Sequence, residues 1–250
     1  MKPLILHPLG RAEPNDLQGW LEHGGGLGLQ MAWQLSPAEL RARLSHLRRR
    51  DGLGLLETTP IPEAVVRIDL SNPVQRALAE EMPAYIIEGA LIWARACESA
   101  HVLVRMAGDT AVQDLWREVL AAFRALAVVG ETSWTGVDLT LAEGPDGEQA
   151  ENEAQAPDAR TVRIMPLVLW EHVDPPVTLI QTAGKFGSNG FYEIPLGLTI
   201  REFAFQWAGG VPLDGTLVLG GRMLTKSEWQ LPLTYEEWGA DLGWGLLECM

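Results

Sequence analysis

Cysteine is scarce in this chain: Cys97 and Cys249 are the only two in 250 residues. Two thiols cannot form a disulfide framework, nor can they supply the four thiolates that an iron–sulfur cluster needs. Cys97 falls in an apolar helical pattern and reads as a small buried hydrophobe. Positive charge is also sparse, with 19 lysines and arginines against 33 aspartates and glutamates and a net charge of −14. Nucleic acids and anionic membranes are bound by cationic surfaces, so neither is an expected partner. No apolar run reaches the roughly 18 residues that span a bilayer. The opening MKPLILHPLG is too short in apolar residues and too broken by proline to act as a signal peptide. The five histidines show no metal-ligand spacing, and no Ser/His/Asp or Cys/His pattern marks a nucleophile. These absences predict a cytoplasmic protein without direct membrane insertion.

What is present is a large apolar fraction, 47% of the residues, enough for one large domain or two modest ones. Ser36-Pro37-Ala38-Glu39 is a helix start, with serine as N-cap, proline in the first turn and glutamate at the third position. Leu40, Leu44 and Leu47 follow at helical spacing as one buried face. Ile87, Leu91, Ala94 and Cys97 form a second helical stripe. His101 to Met106 reads as a buried strand. Asp109 to Leu126 reads as an amphipathic helix with Val112, Leu115, Val119, Phe123 and Leu126 inward, and Val137 to Leu141 alternates as another strand. This alternation predicts a layered, Rossmann-like α/β domain with parallel pairing over residues 1–174. An acidic, Gly/Pro-broken stretch near 143–160, ending at Asp158, reads as a mobile, solvated loop.

Residues 184–211 carry a different signature. Gly184, Gly187, Ser188, Asn189 and Gly190 supply turn chemistry, and Phe191 to Ile194 reads as a short strand stopped by Pro195 and Gly197. Thr199 to Glu202 is a capping box, and Phe203, Phe205 and Trp207 supply the apolar content of the helix it opens. Gly209-Gly210 closes that helix. Strand, turn, helix and double glycine describe half of a small ubiquitin-like β-grasp domain, placed at 175–230. Residues 231–250 are expected to return toward the first domain.

On these residues the chain resembles the NADH-binding flavoprotein subunit of respiratory complex I, a family shared with NAD-linked hydrogenases and formate dehydrogenases. That family writes its soluble-ligand-binding β-grasp (SLBB) insert as G-K/x-V-x-x-P-G-x-Y-E-V-P-x-G-T-x-L-R-E. Gly184, Gly190, Tyr192, Glu193, Pro195, Gly197, Arg201 and Glu202 fit it. Gly25-Gly26 and Ser36-Pro37-Ala38-Glu39 resemble the start of the family's first domain. Leu78, Glu80, Pro83 and Ile86 to Ile92 match a later helix, with Ala84 in place of its histidine. Thr216 to Gly221, Leu231 to Glu236 and Gly243 to Gly245 match the closing elements. The resemblance covers most of the chain in the same order. It implies NADH:quinone oxidoreductase chemistry with FMN, and partners that are subunits of a larger redox complex.

The departures concentrate in the cofactor loops. The family's FMN phosphate loop is S-G-L-R-G-R-G-G-A-G-F; here it reads Ser45-His46-Leu47-Arg48-Arg49-Arg50-Asp51-Gly52-Leu53-Gly54-Leu55. Arg48, Arg50, Gly52 and Gly54 are the remnants, and they are the candidate cofactor-binding residues. Such a loop brings bare backbone N–H groups against an anion, which requires glycine for close approach. His46, Arg49 and Asp51 stand where the family has glycine, and Asp51 would set a carboxylate beside a phosphate. That repulsion is about 1 kcal/mol in water at about 4 Å and larger when desolvated. The acidic and amide core N-A-D-E of the flavin and nicotinamide pocket is also absent. Asp69 stands nearest to it and reads as a strand-end or turn residue, while Arg76 aligns. Gly147-Glu148 echoes the family's G-E without its aromatic neighbour. No helical domain with four cysteines follows. The resemblance therefore implies a non-catalytic paralogue without FMN, NADH or an iron–sulfur cluster, acting as a structural or assembly component of a complex I-like, formate dehydrogenase or hydrogenase module. Such a component would sit in the cytoplasm, peripheral to any membrane-bound partner. Two alternatives stand beside it: a diverged NADH:acceptor oxidoreductase subunit that still binds FMN and NADH, and a small-ligand-binding SLBB module.

Overall fold

The computed structural model describes residues 5–6, 13–48, 61–106, 109–143, 156–170 and 177–250. Two compact units result, the first running through Trp170 and the second comprising Val177–Met250, with Arg48 and Asn72–Val74 grouped with the second.

The first unit is organised on three parallel strands in the order β1-β2-β3, β1 being Ala64–Ile68, β2 His101–Met106 and β3 Asp138–Glu143. Val66 lies opposite Val104, and Val104 opposite Leu141, so the β-branched and leucine side chains stack in register. Short helices precede the sheet: α1 (Leu17–Glu22), α2 (Leu27–Gln34) and α3 (Pro37–Leu44). α3 starts where the capping box places it, with Ser36 and Glu39 bonding reciprocally. Leu40, Leu44 and Leu47 are buried.

Between β1 and β2 run α4 (Pro73–Glu81) and α5 (Pro83–Cys97). α5 is apolar on every side, and all of its residues but Arg95 are buried, Cys97 included. The crossover from β2 to β3 is α6 (Thr110–Ala125), capped by Asp109. Val112, Val119 and Phe123 face inward as expected. Leu126 does not: the helix ends before it, and it is 52% exposed. Trp116 takes the deepest position instead, its indole N–H donating to the Ala79 carbonyl at 2.9 Å.

A helix that local sequence patterns do not announce closes the unit. α7 (Ala159–Trp170) carries Pro166 in its interior and is buried from Ala159 to Leu169. Of the stretch expected to be a solvated acidic loop, 144–155 lies outside the described residues. Asp158 at its end is buried, not solvated. Its carboxylate accepts from the Thr161 amide at 2.8 Å and the Thr161 hydroxyl at 2.7 Å, an N-terminal cap for α7.

The second unit is a mixed five-stranded sheet in the order β5-β4-β8-β6-β7, an SLBB-like arrangement. β4 is Val177–Gly184, β5 Gly190–Pro195, β6 Leu217–Leu219, β7 Arg222–Met223 and β8 Leu246–Cys249. The parallel pairing of β4 with β8 puts the last strand between β4 and β6. Residues 231–250 thus supply a central strand of this sheet, with Leu247 and Cys249 buried. Gly184 has φ 87°, and a Cβ there would lie 2.1 Å from the Cys249 carbonyl oxygen, so close pairing of β4 with β8 requires glycine.

The Thr199 capping box opens α8 (Ile200–Glu202), which passes directly into a π-helical turn, Phe203–Trp207. Phe203 is fully buried, whereas Phe205 is 50% exposed: residues two apart on a helical turn point to different sides. Gly209 (φ 74°) and Gly210 (φ 92°) end the turn, the Gly210 amide donating to the Ala204 carbonyl at 2.8 Å. Replacing Thr199 by alanine is expected to lower unfolding stability by about 1 kcal/mol in urea. An unchanged midpoint would mean that the cap contributes nothing.

Candidate functional site

In an open α/β sheet, ligands bind beyond the carboxyl ends of the strands. Here that edge is furnished with acids already engaged in local structure. After β1, Asp69 accepts from the Ser71 amide at 3.0 Å and from the Ser71 hydroxyl at 2.5 Å, while its own amide donates to Gln75 at 3.1 Å. It is the turn residue the sequence suggested. After β2, the Asp109 carboxylate accepts from the Ala111 amide at 3.0 Å and from the Val112 amide at 3.5 Å. Its second oxygen accepts from Arg76 at 2.5 Å, and Arg76 also donates to Glu80 at 2.7 Å. Burial pushes the Asp109 carboxyl up, but the Val112 and Ala111 amides and the Arg76 guanidinium outweigh it and hold the group below its ordinary value. A free helix N-terminus attracts phosphate. At α6 that position holds the protein's own carboxylate.

Of the candidate cofactor residues, Arg48 is exposed and makes an isolated strand bridge just after the buried Leu47. Arg50, Gly52 and Gly54 lie outside the described residues, as does Gly147-Glu148. The glycine cluster near the N-terminus serves packing. A Cβ on Gly24 would meet the Trp170 ring at 2.7 Å, and one on Gly28 would meet the Pro166 Cα at 2.5 Å.

A buried polar cluster in the same unit escapes motif reading. Glu88, in the middle of α5, accepts from the Leu29 amide at 3.1 Å. Burial pushes its carboxyl up to about 7, against the opposing pull of the Gly26 and Leu29 amides, Arg163 and Trp20. The Arg163 guanidinium lies 4.6 Å from the centre of the Tyr85 ring and donates to the Ile5 carbonyl at 3.0 Å. Burial likewise pushes the Tyr85 hydroxyl up to about 12. Arg160, buried on the next turn of α7, lies 3.8 Å from the Asp158 carboxylate. The available signal was a lone charge inside an apolar run, Glu88 between Ile87 and Gly89, since a buried charge needs partners. Cys97 offers no nucleophile: burial raises its thiol to about 12. Both cysteines are free and buried. Among the described residues, no three His, Cys, Asp or Glu side chains converge as a metal site, and no helix is long and apolar enough to cross a membrane.

No family model matches the chain. Its sequence is 25% identical to an NADH-quinone oxidoreductase subunit of Streptomyces coelicolor, over 93% of this chain and 67% of that protein. The chain is a distant homologue of that subunit. Its fold matches an NAD+-reducing NiFe hydrogenase in the H2-reduced state with a TM-score of 0.65 at 14% identity, covering 94% of this chain. For the air-oxidised state the TM-score is 0.62 at 15% identity. The chain spans 50% of the length of those hydrogenase chains.

The first amides of α6 are taken by Asp109, and those of α7 by Asp158. A phosphate brought to either helix would have to displace a carboxylate that the fold itself holds there.

Proposed function

We propose that the chain is a non-catalytic paralogue of the NADH dehydrogenase flavoprotein subunit. It serves as a structural or assembly component of a complex I-like, formate dehydrogenase or hydrogenase module, in the cytoplasm. The observation that carries this reading is the Asp109 carboxylate seated on the N-terminus of α6 and tied to Arg76, at the sheet edge where a cofactor phosphate would need donors. The loss of glycine at His46, Arg49 and Asp51 points the same way.

The test is a visible absorption spectrum of freshly purified native protein, followed by FMN titration and an NADH-dependent dye-reduction assay. A colourless protein that neither takes up FMN nor reduces dye is the expected result. A flavin band or stoichiometric FMN binding would overturn it in favour of the second reading, a diverged NADH:acceptor oxidoreductase subunit. The observation that favours that reading is the similarity to an NADH-quinone oxidoreductase subunit along 93% of this chain. In that case Gly52 and Gly54 would be the first phosphate contacts to examine.

A further inference from the structure

A surface patch of the first unit joins two tryptophans, a leucine and an arginine. Trp33, near the end of α2, meets Trp134 edge to face, with ring centres 5.6 Å apart. Trp134 is 49% exposed, and Leu126, just past the end of α6, is 52% exposed. The Trp134 amide donates to the Ala127 carbonyl at 3.1 Å, which sets the tryptophan beside the residue that follows Leu126. The loop between them is held by its own side chains. The Ser133 hydroxyl donates to the Gly130 carbonyl at 2.6 Å, and the Thr135 hydroxyl to the Val128 carbonyl at 2.5 Å. A loop fixed in this way presents its aromatic side chain with little freedom left to lose on binding.

Arg95 of α5 completes the patch. Its guanidinium lies 5.7 Å from the centre of the Trp33 ring and donates through Nη2 to the Leu35 carbonyl at 3.2 Å. Among the described residues no carboxylate pairs with it, although acids outnumber bases in this chain by 33 to 19. Glu98, three residues on, is taken by Arg41 at 2.9 Å. The Nε of Arg95 is buried without a partner, whereas Nη1, equally unpaired, meets solvent. Tryptophan and arginine are the side chains most enriched among those that dominate protein interfaces.

The charge of Arg95 excludes a cation as the occupant. A polyanion such as nucleic acid is opposed by the net charge of −14. A purely apolar segment would cover the tryptophans and leave the guanidinium desolvated and unpaired. A single carboxylate between apolar side chains satisfies every group. We propose that this patch docks a segment of a partner protein that carries one glutamate or aspartate flanked by apolar residues. The carboxylate pairs with Arg95 while its neighbours cover Trp33, Trp134 and Leu126. The proposal deepens the assembly reading and rests on it for the existence of the partner.

The test is an NMR titration of the full chain with the capped tripeptide N-acetyl-Leu-Glu-Leu-amide, and separately with N-acetyl-Leu-Gln-Leu-amide. Saturable shifts of the Trp33 and Trp134 indole signals are expected, with the glutamate peptide bound about three-fold more tightly. Arg95→Gln should erase that preference. Trp134→Ala, at an exposed position, should weaken the response to the glutamate peptide about ten-fold. No saturable shift, equal binding of the two peptides, or an undiminished response in Trp134→Ala would each overturn the proposal. A stronger response to adenosine monophosphate than to either peptide would overturn it in favour of a nucleotide. The flavin titration fails independently: a yellow protein that still prefers the glutamate peptide sinks the non-catalytic reading alone, and a colourless one that ignores both peptides sinks the patch alone.

Discussion

Replacing Gly89 by alanine is expected to destabilise the first unit by about 3 kcal/mol or more. α5 and α7 meet at this residue so closely that a Cβ would lie 1.9 Å from the Val162 carbonyl oxygen and 2.5 Å from its carbon. Both atoms are backbone of a buried helix, so no side chain can swing away to make room. The contact has a specific origin. Pro166 lies four residues after Val162 and has no N–H, which leaves the Val162 carbonyl without its helical donor. Only a hydrogen on Gly89 fits against that oxygen, so alanine would force the helices apart. Gly190→Ala serves as the control, because nothing lies within 4 Å of a Cβ there. Urea unfolding of both variants checks the argument: a large loss for Gly89 and almost none for Gly190 is expected. Equal, small losses would show that α5 and α7 can separate at little cost.

The same helix pair explains what the sequence conceals. Both capping boxes, at Ser36 and Thr199, were legible because their chemistry is local: a hydroxyl and a carboxylate three residues apart bond each other and each other's backbone. The parallel sheet was legible from the alternation of strands such as His101–Met106 with helical stretches, since that order demands crossover connections. α7 was not legible. Its interior proline argues against a helix locally, its two arginines argue against burial, and burial on all sides erases the 3.6-residue period that marks a helix at a surface. The glycines packed against it, Gly24, Gly28 and Gly89, make room for it, and that is a tertiary fact. The site divides in the same way. The loss of glycine around Arg48 was visible residue by residue. The partners of Glu88, and the Arg76 that meets Asp109, come from elements distant in sequence, and only the fold brings them together.

Glu88 carries the second large effect. Its carboxyl titrates near 7 in the folded chain, against an ordinary value of 4.5. Between these values the folded state holds a proton that the unfolded state has released, so stability falls as pH rises through the window. The loss amounts to roughly 3 kcal/mol and is complete slightly above pH 7. The groups facing Glu88 are the Trp20 indole from α1, the Gly26 and Leu29 amides at α2, and Arg163 from α7, beside Tyr85 on its own helix. None of these counterparts releases a proton in that range: Arg163 keeps its charge throughout, and the Tyr85 hydroxyl is displaced upward, away from the window. The carboxyls of Glu39, Asp109, Glu202 and Glu228 are all lowered, so their contributions are lost only as the solution becomes more acidic. Urea midpoints measured from pH 5 to pH 8 should therefore decline for the native chain. They should stay nearly flat over that span for Glu88→Gln, whose amide oxygen still accepts from Leu29. Absolute stability is a poorer readout, because the amide also removes the negative charge set against Arg163. A decline of the same size in the Gln variant would place the titrating group elsewhere and leave the buried Glu88 ionised throughout, held by Arg163.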